Sequence, residues 1–385
     1  MPSTSKRGLQ RPLSQSIAVL VLMYGMIGCG PLGDKTPTAP PAPEKPSIRP
    51  TVGVVTTERG LLGGRLVLVS LTGERVREVT RIGPVAVRDN SPAWSPDGRW
   101  VAFSSTRSRD TLAETSLWIV EMRPGAQPRR LTKKAGSVDR DPAWTPDGRA
   151  LLFSSNRAGS FDLWRLPLTD SDSGPPGAAG PPSQLTSGAD HDFHPSPDPS
   201  SERIAFMRVL ADGSRSQLWL HAGGRSSALT EGPADVTPAW SPDGQRIAFA
   251  APADDAEKAD GDADLFTIAP DGSQRQLLVR EPLADQTGPV WSTDGRYVFC
   301  TSVFRSKESK KPVLSSIAFV DLQEPEPMLR GLHSRITAQS RMGPALGPAP
   351  LDSLQLRRNL EYKEALKRAI ELELIRASEA AAGQP

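Results

Sequence analysis

Apolar residues in this chain come in short runs, separated by polar stretches rich in Gly, Pro, Asp and Ser. The runs are rich in β-branched and aromatic residues and end on turn signals, so they are predicted as strands. Trp100-Val101-Ala102-Phe103 is the type case of one kind, and Leu151-Leu152-Phe153, Ile204-Ala205-Phe206, Ile247-Ala248-Phe249 and Tyr297-Val298-Phe299 are its copies. A second kind follows each: Leu117-Trp118-Ile119, Leu163-Trp164, Leu218-Trp219, Leu265-Phe266 and Ile317-Ala318-Phe319. A third ends at Leu131-Thr132, Leu185-Thr186, Leu229-Thr230 and Leu277-Leu278.

Ahead of the first kind stands an octapeptide, Ser91-Pro92-Ala93-Trp94-Ser95-Pro96-Asp97-Gly98, a short strand followed by a turn. Proline presets φ for such a turn, Asp bonds back to the backbone, and Gly tolerates positive φ. The copies centre on Trp144, Trp240 and Trp291, with a worn one at Phe193-His194-Pro195-Ser196-Pro197-Asp198 that has lost Trp and Gly. From Asp97 to Asp147, Asp198, Asp243 and Asp294 the steps are 50, 51, 45 and 51 residues. A fixed period in this range marks a repeat architecture. Four antiparallel strands per unit predict a propeller blade.

Five units carry the opening signal, and a sixth lies in front of them. Thr51–Thr56, Arg65–Val69 and Val76–Thr80 read as its second, third and fourth strands, with the inner strand missing. Gly343-Pro344-Ala345-Leu346-Gly347-Pro348 is a degraded copy of the octapeptide that supplies it and closes the ring. Without closure, strand edges would stay exposed. The eight Trp all fall in these strands and are expected to be core. The predicted fold class is therefore all-β, a six-bladed β-propeller of four-stranded antiparallel blades over residues 51–350. A C-terminal amphipathic helix is predicted within 351–385, where Leu356, Leu360, Leu366, Ile370 and Leu374 follow a helical stripe behind the N-cap residue Asp352. It reads as a helix docked on the propeller or as one that binds a partner.

Composition adds limits. With 33 Gly and 38 Pro among 385 residues, the chain is turn-dense, and its net charge of +2 leaves no nucleic-acid footprint. Two cysteines, Cys29 and Cys300, imply no disulfide framework. Lys6, Arg7 and Arg11 precede an apolar run from Ser16 to Gly28 that is too short to span a bilayer, so residues 1–28 read as an export signal. The run ends at Met26-Ile27-Gly28-Cys29, which resembles the lipobox of bacterial lipoproteins; that resemblance implies lipidation of Cys29. Gly30 follows in place of the Asp associated with retention at the inner membrane. Residues 29–50, with six Pro from Pro37 to Pro50, read as an extended tether.

The tandem units Pro-Ala-Trp-Ser-Pro-Asp-Gly, Ile-Ala-Phe-x-Ser, Leu-Trp and Leu-Thr resemble the WD-like repeats of TolB-type propellers across about residues 51–350. Ser154-Ser155-Asn156-Arg157-Ala158-Gly159 is similar to that family's loop after the second strand. The resemblance implies a non-enzymatic interaction module exported to the bacterial envelope. TolB proteins bind a peptidoglycan-associated lipoprotein there and carry an N-terminal α/β domain where this chain has its Pro-rich stretch. The expected partner is an envelope protein or polymer, and the expected place is the periplasmic side of the outer membrane.

Candidate chemistry is sparse, and no cofactor is expected. Asp89, Asp139, Asp190, Asp235 and Gln286 recur three residues before the Pro position, with Asp285 adjacent to the last. They would ring one mouth of the channel as a site for a cation or basic segment, or else cap their own loops. His191 and His194 make Asp190–His194 the densest potential ligand cluster. The alternative function is accordingly a metal-dependent or polysaccharide-active propeller enzyme using that mouth. Asp260, Asp262 and Asp264 begin like a calcium loop but lack its Gly. Gly224-Arg225-Ser226-Ser227-Ala228 falls in a hairpin, not on the strand-to-helix turn a nucleophile needs. Arg305, Lys307, Lys310 and Lys311 read as a solvent-facing loop, and Cys300 as a buried thiol.

Overall fold

The recurrent runs build six antiparallel sheets of four strands each. The computed structural model describes residues 53–60, 63–72, 75–81, 87–107, 114–170, 174–252, 263–281, 284–305, 312–332, 341–349 and 351. The export signal, Cys29, the tether, Asp260 and Asp262, the lysines of the basic loop and the C-terminal helix lie outside the described residues.

Blade 1 holds β1 (Val54–Gly60), β2 (Gly63–Val69) and β3 (Arg75–Glu78). Blade 2 runs β4 (Asp89–Trp94), β5 (Trp100–Ser105), β6 (Ser116–Glu121) and β7 (Arg129–Arg130). Blade 3 is β8 (Asp139–Trp144), β9 (Ala150–Ser155), β10 (Asp162–Pro167) and β11 (Ser183–Gln184). Blade 4 is β12 (His191–Pro197), β13 (Ile204–Val209), β14 (Ser216–Ala222) and β15 (Arg225–Ala228). Blade 5 is β16 (Val236–Trp240), β17 (Ile247–Pro252), β18 (Ala263–Ile268) and β19 (Gln276–Val279). Blade 6 is β20 (Ala284–Trp291), β21 (Tyr297–Arg305), β22 (Pro312–Asp321) and β23 (Leu329–Gly331). The last strand, β24 (Arg341–Leu346), returns to blade 1 and pairs antiparallel with β1, Val54 opposite Leu346 and Val55 opposite Ala345. The predicted closure is thus observed. Each first-listed strand of a blade contacts its counterpart in the next, and β24 contacts both β20 and β4, so the inner strands form a complete ring.

The repeated letters have local causes. In the turn after β4, Ser95 N–H donates to Trp100 O at 2.9 Å and Gly98 N–H to Ser95 O at 2.9 Å. The Asp97 carboxylate accepts from Ser95 Oγ at 2.5 Å and from Arg99 N–H at 3.0 Å. Gly98 sits at φ 68°, where a side chain would be strained. Thr145, Ser241 and Ser292 head the same turn. The Leu-Thr signature is also structural: the hydroxyls of Thr132, Thr186 and Thr230 accept from the N–H of Leu117, Leu163 and Leu218 at 2.9 to 3.0 Å. These donors on the third strands would otherwise be buried without a partner.

Between blades, the indole N–H of Trp144 donates to Ala93 O at 3.0 Å, that of Trp291 to Ala239 O at 3.1 Å, and that of Trp94 to Ala345 O at 3.1 Å. The last bond ties the closing strand to blade 2. Trp94, Trp100, Trp144 and Trp240 are buried core, as expected. Trp118, Trp164 and Trp219, on the third strands, are only half-buried because they lie nearer the outer rim of the blades, and Trp291, at the end of an inner strand, is half-buried as well. Trp164 and Trp219 are covered by guanidinium groups, with Arg157 5.1 Å and Arg208 4.2 Å from the ring centres.

Candidate functional site: the channel ring

Every inner strand bulges at the residue before its first Pro. Pairing with the second strand breaks between Asn90 and Ala93, Arg140 and Ala143, Phe193 and Ser196, Val236 and Ala239, and Thr287 and Val290. Pro has no N–H to give a ladder, and an extra residue in a bulge is re-aimed out of the sheet. The bulged residues are Ser91, Asp141, His194, Thr237, Gly288 and Gly343, all with φ between 50° and 65°. Gly takes that conformation freely, but a residue with a Cβ pays about 1–2 kcal/mol for it. Four of the five described non-Gly residues with positive φ therefore fall on this one ring. Such strain concentrates at functional sites.

The ring lines a cavity of about 460 Å³ in which each blade contributes its x-Pro pair. One arc is polar. Ser91 Oγ donates to Asp141 Oδ1 at 3.1 Å, Arg140 Nε donates to Asp141 Oδ2 at 2.9 Å, and His194 Nδ1 lies 3.6 Å from Asp141 Oδ2. Next to them, Thr237 Oγ1 accepts from Gly288 N–H at 3.2 Å. The arc of Gly288 and Gly343 carries no side chains and leaves room opposite Asp141 and His194. Prolines 92, 142, 195, 238, 289 and 344 supply an apolar wall. The arrangement suits a chain segment that brings apolar surface and a hydrogen-bond donor or cation to Asp141.

The acidic ring expected from the sequence stands elsewhere. Asp89, Asp139, Asp235 and Gln286 are fully buried. Arg107 bonds Asp89 through Nε at 3.1 Å and Nη2 at 2.5 Å, and Arg157 Nη2 reaches both oxygens of Asp139 at 2.8 and 2.7 Å. Arg275 lies 3.4 Å from Asp235. Among the described residues Gln286 has no arginine partner; its amide donates to Ala284 O at 2.5 Å. Asp285, beside it, is buried and accepts from Ala263 N–H at 3.2 Å. Buried and paired, these carboxylates fasten blades rather than face the channel.

Asp190 is a correction of register. The backbone equivalent of Asp89 in blade 4 is Asp192, which is buried and holds Arg208 at 2.7 and 2.8 Å. The cause lies in the worn turn: Asp198 N–H bonds Arg203 O as Ser95 N–H bonds Trp100 O, so Asp198 takes the place of Ser95 and not of Asp97. Burial raises the Asp198 pKa, but donors from Ser201, Ser200 N–H, Arg203 and Ser200 Oγ outweigh it and hold the carboxyl at about 2. Asp190 itself lies in the preceding loop and accepts from Ala211 N–H at 3.1 Å.

The two histidines are not brought together. His194 is in the ring. His191 Nδ1 accepts from Phe161 N–H at 3.2 Å, and its ring lies 6.1 Å from Phe161 and 6.3 Å from Phe193. Among the described residues no group of three or more His, Cys, Asp or Glu converges on one point. Asp264 pairs with Arg280 at 2.8 Å, and Ser226 and Ser227 lie on β15. Cys300 is fully buried, which pushes its thiol up to about 12. Sequence reasoning missed Asp141 and Thr237 as channel residues. The signal was present: the position before Pro varies from copy to copy while the Pro itself is kept.

Residues 63–179 match the family described as TolB beta propeller domain. No curated protein matches the sequence. Among solved structures, a TolB of Agrobacterium tumefaciens is similar at 17% identity and TM-score 0.52, over 77% of this chain and 91% of that one. TolB from Acinetobacter baumannii is similar at 17% identity and TM-score 0.57, over 77% of this chain and 67% of that one. Nidogen in a nidogen/laminin complex shares the fold at 10% identity and TM-score 0.53, over 77% and 98%. The repeat, the ring closure and the matched domain together make the described body a TolB-like six-bladed β-propeller.

Proposed function

We propose that the protein is a non-catalytic binding module of the bacterial cell envelope, exported, lipid-anchored at Cys29 to the outer membrane, with its propeller in the periplasm. Its partner is an envelope protein or a peptidoglycan-associated component, bound at the channel ring. The observation that carries this reading is the ring itself: strained Ser91, Asp141, His194 and Thr237 on one arc, bare Gly288 and Gly343 on the other. Strain kept at one position in four blades supports selection for what those side chains meet. The lipobox-like Met26–Cys29 and the Pro-rich stretch after it support a tethered body. Crosslinking in the native envelope tests it, using the full chain with Cys29 intact as bait. A discrete adduct that is lost in Asp141→Asn and His194→Ala is expected. An adduct pattern indifferent to both substitutions refutes the ring as the binding site. In parallel, Cys29→Ser should move the protein from the membrane to the soluble fraction, and unchanged fractionation refutes the anchor.

A further inference from the structure

Four inner strands end on Trp, and three of these rings are closed in. Trp94 shares a buried cluster with Met122, and Trp144 shares one with Leu168. Trp240 is roofed by the Arg203 guanidinium, 4.8 Å from its ring centre. Trp291 has neither cover. Leu322 N–H bonds Arg296 O as Met122 N–H bonds Arg99 O and Leu168 N–H bonds Arg149 O, yet Leu322 is itself half-buried, and so is Trp291. Arg246 precedes Ile247 as Arg203 precedes Ile204, but among the described residues it makes no contact with a ring. The cause lies in the turn. Asp198 draws Arg203 in at 2.6 Å, whereas Ser241, in the same place, binds Arg246 only through its backbone N–H, at 2.9 Å.

The unroofed indole forms one wall of a crevice of about 670 Å³ between blades 5 and 6, a volume in the range of small-ligand sites. Around it stand exposed polar side chains: Asp243, Gln245, Arg246 and Asp294. Asp243 spends Oδ1 on its own turn, accepting from Ser241 Oγ at 2.6 Å and Gln245 N–H at 3.0 Å. Asp294 does the same with Ser292 Oγ at 2.5 Å and Arg296 N–H at 3.1 Å. Oδ2 of each carboxylate accepts no hydrogen bond among the described residues. Arg246 interacts with Asp243, so the lining carries one net negative charge.

We propose that this crevice binds a neutral saccharide configured as in glucose, one pyranose ring lying on Trp291 and its hydroxyls donating to Oδ2 of Asp243 and Asp294. With equatorial substituents such a ring presents C–H atoms on its flat faces, and their partial positive charge is attracted to the negative face of an indole. Neighbouring hydroxyls both donate and accept, which suits two carboxylate oxygens beside an amide and a guanidinium. An apolar guest would strip water from those groups and replace none of its bonds. The net negative charge selects against acidic sugars. The crevice runs into the channel cavity, sharing Pro242, Trp291 and Thr293 with it, so a second sugar unit has room beside the first. The site does not rest on what the Asp141 arc binds.

The test titrates the full-length protein with cellobiose, N,N′-diacetylchitobiose and digalacturonate, read by calorimetry and by saturation-transfer NMR on the sugar C–H protons. Saturable millimolar binding of the two neutral disaccharides is expected, with digalacturonate weaker by about tenfold or more. Trp291→Ala should abolish binding. The double variant Asp243→Asn/Asp294→Asn keeps Oδ1 for the turn bonds and leaves the indole in place. It should weaken cellobiose by about tenfold, the worth of one hydrogen bond to a charged group, and narrow the gap to digalacturonate. It carries the test if Trp291→Ala does not fold. No saturable binding of either neutral disaccharide, or neutral binding indifferent to these variants, overturns the site. Digalacturonate binding as tightly as cellobiose overturns the assignment to a neutral sugar.

Discussion

The Asp139–Arg157 pair allows a quantitative test of whether the repeated carboxylates are fasteners or ligands. Asp139 has a side-chain exposure of 1% and Arg157 of 8%. Ser155 Oγ donates to the same carboxylate at 2.6 Å, and the guanidinium lies 4.9 Å from Phe153 and 5.1 Å from Trp164. Arg157→Phe leaves a buried anion with a single hydroxyl donor, and breaking such a pair from one side costs about 3–5 kcal/mol. Asp139→Gln leaves a buried guanidinium, at similar cost. Blade 6 shows how the place is filled without charge: Gln286 sits opposite Ser302, and Phe304 follows Ser302 by two residues as Arg157 follows Ser155. The double variant Asp139→Gln/Arg157→Phe imports that solution. It should lie within about 2 kcal/mol of wild type, because exchanging both partners removes the desolvation penalty with the bond. The two changes should therefore couple by at least about 3 kcal/mol. Urea unfolding followed by Trp fluorescence and far-UV circular dichroism measures this, provided the two transitions coincide. Additivity within about 0.5 kcal/mol refutes the fastener reading and returns the carboxylates to candidacy as a ligand ring.

Other outcomes follow from the same geometry. Trp94→Phe removes the donor to Ala345 O and should cost about 1–3 kcal/mol, with amide exchange rising first in residues 341–346; uniform acceleration over all blades refutes the bond's role in closure. Thr237→Gly relieves a β-branched residue at φ 52° but loses the hydroxyl that accepts from Gly288 N–H and loosens the unfolded chain. Stability should therefore stay within about 1 kcal/mol of wild type, and a loss above about 2 kcal/mol contradicts the strain assignment. Asp198 has a folded pKa of about 2, below the ordinary carboxylate value, so its contribution is present above about pH 4 and fades as pH falls through about 2. Asp198→Asn should thus be less stable than wild type at neutral pH and converge with it toward pH 2. A gap that is constant with pH rules that out. In a Cys29→Ser background, Cys300 should resist thiol reagents at pH 8 in the native state and react only on unfolding, and prompt native labelling contradicts its burial.

The fold was legible because its signals are local and repeated. Ser95, Asp97 and Gly98 make their bonds within one turn, so the letters and the geometry coincide. Closure was legible too, since Pro344 and Ala345 still carry the pattern of an inner strand. The acidic ring was misjudged because the partners are remote in sequence: Arg157 lies 18 residues from Asp139, and Arg275 lies 40 from Asp235. No local pattern announces such a bond, and a carboxylate without its visible partner looks available. In blade 4 the register slipped because Asp198 does the work of a serine, and an alignment by letters placed Asp190 where Asp192 belongs. The channel residues went unread for the opposite reason: the position changes from Ser to Asp to His to Thr, so its cue lies in variation beside a kept Pro and not in a repeated letter.

The closing bond from Trp94 to Ala345 joins residues 251 positions apart. During synthesis, blade 1 can have only three of its strands until β24 has emerged, whereas blades 2 to 6 each draw all four from consecutive sequence. Loop closure over such a span is slow compared with forming any single hairpin. The ring is therefore the last thing to form, and until then β1 offers an open edge to any extended chain nearby. A stop codon ahead of Arg341 would remove six residues of the ring and leave that edge open for good. The vulnerable moment in this protein's life is the interval between finishing its sixth blade and completing its first.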